Sequence, residues 1–390
     1  MRILDVRDVT VGLQGDVTNA VVSFRHHTVS IVALVSDQIR KGQQVIGFGF
    51  NSIGRFAQSG IIRERLKPRV LSVDPADLLF PDGSAFDPEA LLRVAMRDEK
   101  PGGHGDRAGA VAALELAIWD LNAKLADEPA YITIGRHFGY QQPTGTAAVY
   151  AAGGYYHGDS GTAGLREELA AYVDMGFDAF KIKVGGAPLE HDLERINAAL
   201  EMAGDPSRLA VDANGRFGAS EAATFGQAIA GLGLRWFEEP GDPLDFELLR
   251  GVASAYPGAL ATGENLFSCV DARNLVRYGG MRPGADIFQM DPGLSYGIGE
   301  YARMLDVLET YGHDRSQCFP HGGHLINLHV AVGLGLGGCE AYPGVFGPVG
   351  GYSRQCEIRD GRVKAPDAPG FGLETKQDLR PMLQQLGEGS

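Results

Sequence analysis

From about residue 147 onward, short apolar runs alternate with longer segments whose apolar positions recur every three to four residues. TAAVYAAGG, FDAFKIKVGG, RLAVDANG, LRWFEEPGD, ALATGEN, DIFQMDP, SQCFPHGG and GGCEAYPG each close on polar residues with Gly or Pro, as buried strands do at a turn. Between them lie segments such as LEHDLERINAALEMAG, with helical spacing and length. Strand then helix, repeated, implies parallel pairing, because a parallel connection must cross back over the sheet. Polar strand-end residues fall at Lys183, Asp212, Glu238, Glu264, Asp291 and His321, in steps of 29, 26, 26, 27 and 30 residues, about one βα unit each. A shorter step leads to Glu340 and still holds the helical GHLINLHVAVGLG. The pattern predicts an α/β fold, a TIM-like (β/α)7β barrel over residues 126–351, with its chemistry at the C-terminal strand ends.

Residues 1–125 lack that rhythm. HHTVSIVALVSDQ and QQVIGFGFNS read as strands, DPEALLRVAMRDE and RAGAVAALELAIWDLNAKLA as helices, which predicts a separate α+β unit. The segment 352–390 is turn-rich around APDAPGFG and is expected to pack back on this unit and complete it.

Composition narrows the function. A formal net charge of −14 over 390 residues, with no basic stripe, disfavours nucleic acid and anionic membrane as partners. The start of the chain alternates like a strand, and no apolar run approaches ~18 residues, so a cytoplasmic protein is expected. Cys269, Cys318, Cys339 and Cys356 form no CxxC pair, which argues against a disulfide framework or a thiolate zinc site. GLGLGG at 333–338 matches a dinucleotide-binding pattern literally, but a helix precedes it where a strand is required.

Lys181 and Lys183 share one face of a strand, since side chains alternate. Two ammonium groups in one desolvated mouth repel, which would lower the pKa of at least one and make it a base; a solvated edge strand is the alternative. Asp212, Glu238 and Glu264 end three consecutive strands, and such a set of hard oxygen donors suits Mg²⁺. Glu239 is expected to point elsewhere. Asp291 and His321 end the next two strands, where the carboxylate would fix the imidazole tautomer and favour its charged form. His324 and His329 would face apart on a helix, as core or surface residues.

Taken together, KxK, the three acids, and Asp with His at successive strand ends resemble the enolase superfamily, in its mandelate racemase-like, acid-sugar dehydratase branch; sites of that superfamily are a worked example of Lys or His bases with Mg²⁺. DEKPGGHGDR, AAGGYY, KVGGAP, VDANGRF, GDPLD, ATGENLFS, DARNL and PHGGH are similar to the D-tartrate dehydratase group of that branch. The chain departs from that group at Ile53, where an amide is expected, and at His157, where a tyrosine is expected. The resemblance implies a homo-oligomer with one Mg²⁺ per subunit, held by Asp212, Glu238 and Glu264, and a small hydroxy acid substrate. It implies that Lys183 is the base, that Lys181 adds positive charge, and that His321, supported by Asp291, protonates the departing hydroxyl. Asn19, Asn51, Lys100, Tyr156 and Glu340 would bind substrate, Lys100 taking a distal carboxylate and Glu340 bonding the reacting one.

Overall fold

The run VSIVALV carries no polar alternation because both faces of its strand are buried. In the computed structural model, which describes residues 1–140, 143–156 and 161–388, β1 (Ile3–Gly12), β2 (Thr28–Arg40) and β3 (Gln43–Phe50) form an antiparallel sheet with β2 central. Val32 and Leu34 face a core built with the helix Asp106–Ala126, while Ile31 and Ala33 face the apolar core that continues into the rest of the chain. That helix is buried from Arg107 to Ala123. It lies so close to β3 that a Cβ at Gly47 or Gly49 would sit 2.1 or 2.4 Å from the carbonyl oxygens of Ala117 and Ala113. Only glycine permits this approach.

The barrel strands are β4 (Thr146–Gly153), β5 (Phe180–Lys183), β6 (Leu209–Asp212), β7 (Phe237–Glu238), β8 (Leu260–Thr262), β9 (Ile287–Phe288) and β10 (Cys339–Ala341). Neighbours from β4 to β9 pair in parallel, and β10 returns to pair with β4. Helices Gly161–Asp174, Leu189–Ala203, Ala219–Ile229, Phe246–Ala255, Cys269–Tyr278, Ile298–Thr310 and Leu325–Leu334 fill the crossovers. One expected strand is reduced: SQCFPHGG contributes a single bridge from Cys318 to Phe288. A 3-10 turn at Arg315–Gln317 precedes it, and Pro320, with no N–H to donate, follows. Register aligns Lys183 with Asp212 and Asp212 with Glu238, so the charged residues meet side by side at one end of the sheet.

The C-terminal segment is divided rather than given wholly to the N-terminal unit. β11 (Ile358–Arg359) and β12 (Arg362–Lys364) form a hairpin whose second strand pairs antiparallel with β4. The helix Arg380–Glu388, which the sequence pattern did not predict, packs at the N-terminal sheet, where Arg7 Nη1 donates to the carbonyls of Leu386 (2.7 Å) and Gly387 (2.9 Å). Among the described residues no helix is long and apolar enough to cross a membrane.

Two buried histidines hold the last crossover helix. His324 caps its N-terminus, with Nδ1 accepting from Asn327 N at 3.3 Å and Nε2 3.0 Å from Ser52 Oγ. His329 Nδ1 accepts from Tyr131 N at 3.2 Å. Burial pushes their pKa values down to about 4 and about 3. A lowered imidazole pKa means that the folded state binds fewer protons than the unfolded one. The stability it contributes is complete above the unfolded value near 6.5 and is lost as pH falls toward 4 and 3. Each histidine then removes roughly 1.36 kcal/mol per pH unit. Urea midpoints measured at intervals from pH 6.5 to 5 are expected to decline less steeply in His329→Gln than in the parent, and equal slopes would refute the assignment.

Candidate active site

The KIK strand is buried throughout, so its lysines need partners. Lys181 Nζ lies 2.6 Å from Glu238 Oε1, 2.8 Å from Glu340 Oε1 and 3.5 Å from Asp212 Oδ2. Lys183 Nζ lies 2.6 Å from Asp212 Oδ2. Lys181 is not a lysine lowered by mutual repulsion. Burial opposes its charge, but Glu238 and Glu340 outweigh burial and hold it well above the ordinary lysine value. Despite burial, Lys183 holds Asp212 down to about 2, and Lys181 holds Glu340 to about 2. Glu340 is therefore held as an ionised acceptor, bonded by Gly322 N at 3.0 Å. Burial first, and Asp212 second, push Glu238 up to about 8. Its Oε2 takes hydrogen bonds from Trp236 Nε1 (2.9 Å) and Gln289 Nε2 (2.7 Å).

Across the mouth, His321 Nδ1 is 3.0 Å from Asp291 Oδ2. Gly293 N (2.7 Å) and Asn327 Nδ2 (3.0 Å) hold the other oxygen of that carboxylate. The His321 pKa rises to about 9: burial works against the charge, and Glu264, with Oε2 at 3.8 Å from Nε2, outranks Asp291 among the groups that favour it. The Tyr342 hydroxyl is 3.0 Å from the same Nε2.

Lys183, Glu264 and His321 line one cavity of about 220 Å³, closed by Asn19, Val21, Val22, Phe24, Ile53 and Arg55 from the N-terminal unit. Asn19 reaches it, although its Oδ1 is engaged by the backbone N–H groups of Val21 and Val22. Asn51 does not: it is fully buried, accepts from Ser30 N at 2.6 Å and braces the sheet edge. Lys100 is exposed and lies outside the cavity; its carbonyl anchors Arg107. Tyr156 turns away to Asp192 (2.7 Å), and Tyr155 faces Lys183 instead, its ring centroid 5.5 Å from Nζ. The left-handed Gly154 (φ +59°) breaks the strand alternation and shifts the inward tyrosine by one residue. Glu239 was expected to face elsewhere, yet its own left-handed backbone (φ +38°) brings it to the cavity, where Asn265 Nδ2 bonds it at 2.9 Å. His157 lies outside the described residues. Tyr155, Tyr342, Glu239, Asn265 and Arg55 are cavity residues that strand-end reasoning missed, although all but Arg55 fall in segments that the pattern or the motifs had singled out.

Among the described residues, no three acidic, histidine or cysteine side chains are gathered at ligating distance. Asp212 and Glu238 instead hold the lysines. The donor set still fits a divalent cation, because Asp212, Glu238 and Glu264 offer hard carboxylate oxygens at neighbouring strand ends. Asn214 Oδ1, buried without a hydrogen-bond partner among the described residues, belongs to a side chain lining the same cavity.

The chain is similar to arabinonate dehydratase of Saccharolobus solfataricus, 27% identical over 368 residues and 92% of each chain. It is 25% identical to L-talarate/galactarate dehydratase of Salmonella typhimurium over 366 residues, 93% of this chain and 86% of that one. A racemase from Streptomyces coelicolor A3(2) with bound magnesium shares the fold, with a TM-score of 0.75, 23% identity and coverage of 95% and 96%. Residues 164–379 match the family described as enolase C-terminal domain-like. With Lys183 and His321 facing one cavity at the ends of its barrel strands, this chain belongs to the enolase superfamily of enzymes, in its mandelate racemase/muconate lactonizing group.

Proposed function

We propose that the protein is a magnesium-dependent dehydratase of a hydroxy acid of the acid-sugar kind. The observation that carries this reading is that Lys183 and the Asp291-supported His321 line the same small cavity. Lys183 Nζ takes the proton from the carbon beside the substrate carboxylate. His321 is the source of the proton that leaves with the hydroxyl on the next carbon, and the resulting enol tautomerises to a 2-keto acid. Lys181, locked among carboxylates, keeps its charge and compensates theirs. Asp212, Glu238 and Glu264 would hold the magnesium, which when bound supplies the positive charge that makes the carbon acid strong enough. The two dehydratase relatives support this class.

Within the class, D-tartrate converted to oxaloacetate is the reading supported by the sequence resemblance; a cavity of about 220 Å³ suits a compact substrate. Racemisation or epimerisation is the second reading, because a lysine and a histidine lining one cavity are equipped to exchange a proton on either face of a carbon. Incubation with a panel of sugar diacids and monoacids separates the readings: dehydration yields a 2-keto acid, whereas racemisation retains the hydroxyl.

Chelation with EDTA is expected to abolish turnover and Mg²⁺ to restore it. Titration of metal-free protein with Mg²⁺ should raise the melting temperature, since a ligand selective for the folded state stabilises it. A metal-free protein with full activity and an unmoved melting temperature would exclude the assignment.

Lys183→Ala is expected to lose both 2-keto acid formation and exchange of the substrate proton with deuterium oxide. His321→Asn should lose the first by at least about a hundredfold and keep the second, because it removes the proton for the leaving group and spares the base. Equal loss of exchange in the two variants would reverse the roles.

A further inference from the structure

We propose that Tyr342 is the residue that hands the proton to the leaving hydroxyl, with His321 as the donor behind it. The inference rests on the dehydratase reading above. His321 has two ring nitrogens, and Asp291 occupies Nδ1 at 3.0 Å, so only Nε2 can serve a substrate. That atom is already met by the Tyr342 hydroxyl at 3.0 Å. Glu264 Oε2 is farther from it, at 3.8 Å. The phenol is buried to 3% exposure and yet lines the same cavity as His321.

The ring is held in place. It stands edge-on to His321, with centroids 6.1 Å apart and planes at 76°, and edge-on to Phe346 at 4.8 Å and 73°. The loop beyond is pinned by Lys376, whose Nζ donates to the carbonyls of Gly351 at 3.2 Å, Val349 at 3.4 Å and Gly350. A fixed phenol on the only usable nitrogen makes a relay the direct route for the proton.

The step balances without a further reactant. Lys183 takes the α-proton, and the electron pair it leaves forms the carbon–carbon double bond. The bond to the β-oxygen breaks and its electrons depart with that oxygen. The Tyr342 O–H proton joins the oxygen to make water, while the His321 Nε2–H proton moves to the phenol. Tyr342 ends neutral and His321 ends one proton poorer.

The test is Tyr342→Phe, which keeps the ring and its packing. On a substrate of the acid panel, its rate of 2-keto acid formation should fall by about a hundredfold or more, the range of a lost general acid, while α-proton exchange in deuterium oxide stays within about threefold of the parent. The same substrate with fluoride in place of the β-hydroxyl supplies the control, because fluoride leaves without a proton: Tyr342→Phe should release it at the parent rate. Dehydration at the parent rate in the variant would overturn the relay and leave the dehydratase reading intact. Loss of exchange and fluoride release together would assign Tyr342 a structural role and equally overturn it. A parent that forms no 2-keto acid from any panel member would instead overturn the dehydratase reading, and the relay with it.

Discussion

Charge balance in a dry barrel mouth is the constraint on which the rest of this structure depends. Lys181 is 1% exposed, with three carboxylates within 3.5 Å, and neither sign could be buried there alone. The strand that carries the lysines must therefore run in register with the strands that carry the acids, and it does, residue by residue from Lys183 to Asp212 to Glu238. The neighbours complete the arrangement: Tyr150 and Tyr155 lay their rings beside the two ammonium groups at 5.6 and 5.5 Å. Trp236 and Gln289 occupy the Glu238 oxygen that no lysine reaches.

The N-terminal unit is bonded into this machinery rather than merely resting over it. Ser52 N donates to the carbonyl of Gly293, two residues beyond Asp291, at 3.1 Å, and Ser52 Oγ meets His324 at 3.0 Å. Farther along the same loop, Arg55 Nη2 donates to Asn265 Oδ1 at 2.5 Å, and the amide nitrogen of Asn265 holds Glu239. A shift of the loop that carries Ile53 is thus felt at the Asp291 turn and at the Glu239 turn together. The lining of the cavity by this loop and the placing of Asp291 and Glu239 share one set of hydrogen bonds.

Much of this was legible in the sequence, for a physical reason. A βα unit has a nearly fixed length, so chemistry confined to strand ends repeats with that length, and Lys183, Asp212, Glu238, Asp291 and His321 stand where the spacing puts them. What escaped lies where periodicity stops. Positive φ angles at Gly154 and Glu239 turn Tyr155 and Glu239 inward, and no alternation rule predicts a left-handed residue. Tyr342 lies one residue past the end of β10, beyond Glu340, the polar residue that the strand-end spacing singles out. The seventh strand shrank to a bridge because Pro320 follows Cys318 closely. Lys100 and Asn51 sit in loops whose residue types suit a ligand, but loop composition does not say which loops reach the cavity.

The two sides of the cavity are unequal in a way that bears on reaction outcome. On one side Lys183 lines the cavity with its amine tied to Asp212, which fits the proposed taking of a proton from carbon. On the other, His321 is fixed by Asp291 at one nitrogen and fronted by a phenol at the other, which suits delivery to an oxygen that departs. Racemisation would need His321 to reach the same carbon that Lys183 does, with the Tyr342 hydroxyl 3.0 Å from its Nε2. Elimination needs it to reach only the neighbouring oxygen. The partition between the two reactions is thus a matter of where Ile53, Arg55 and Asn19 seat the substrate against an asymmetric pair, and the asymmetry itself is built into the barrel.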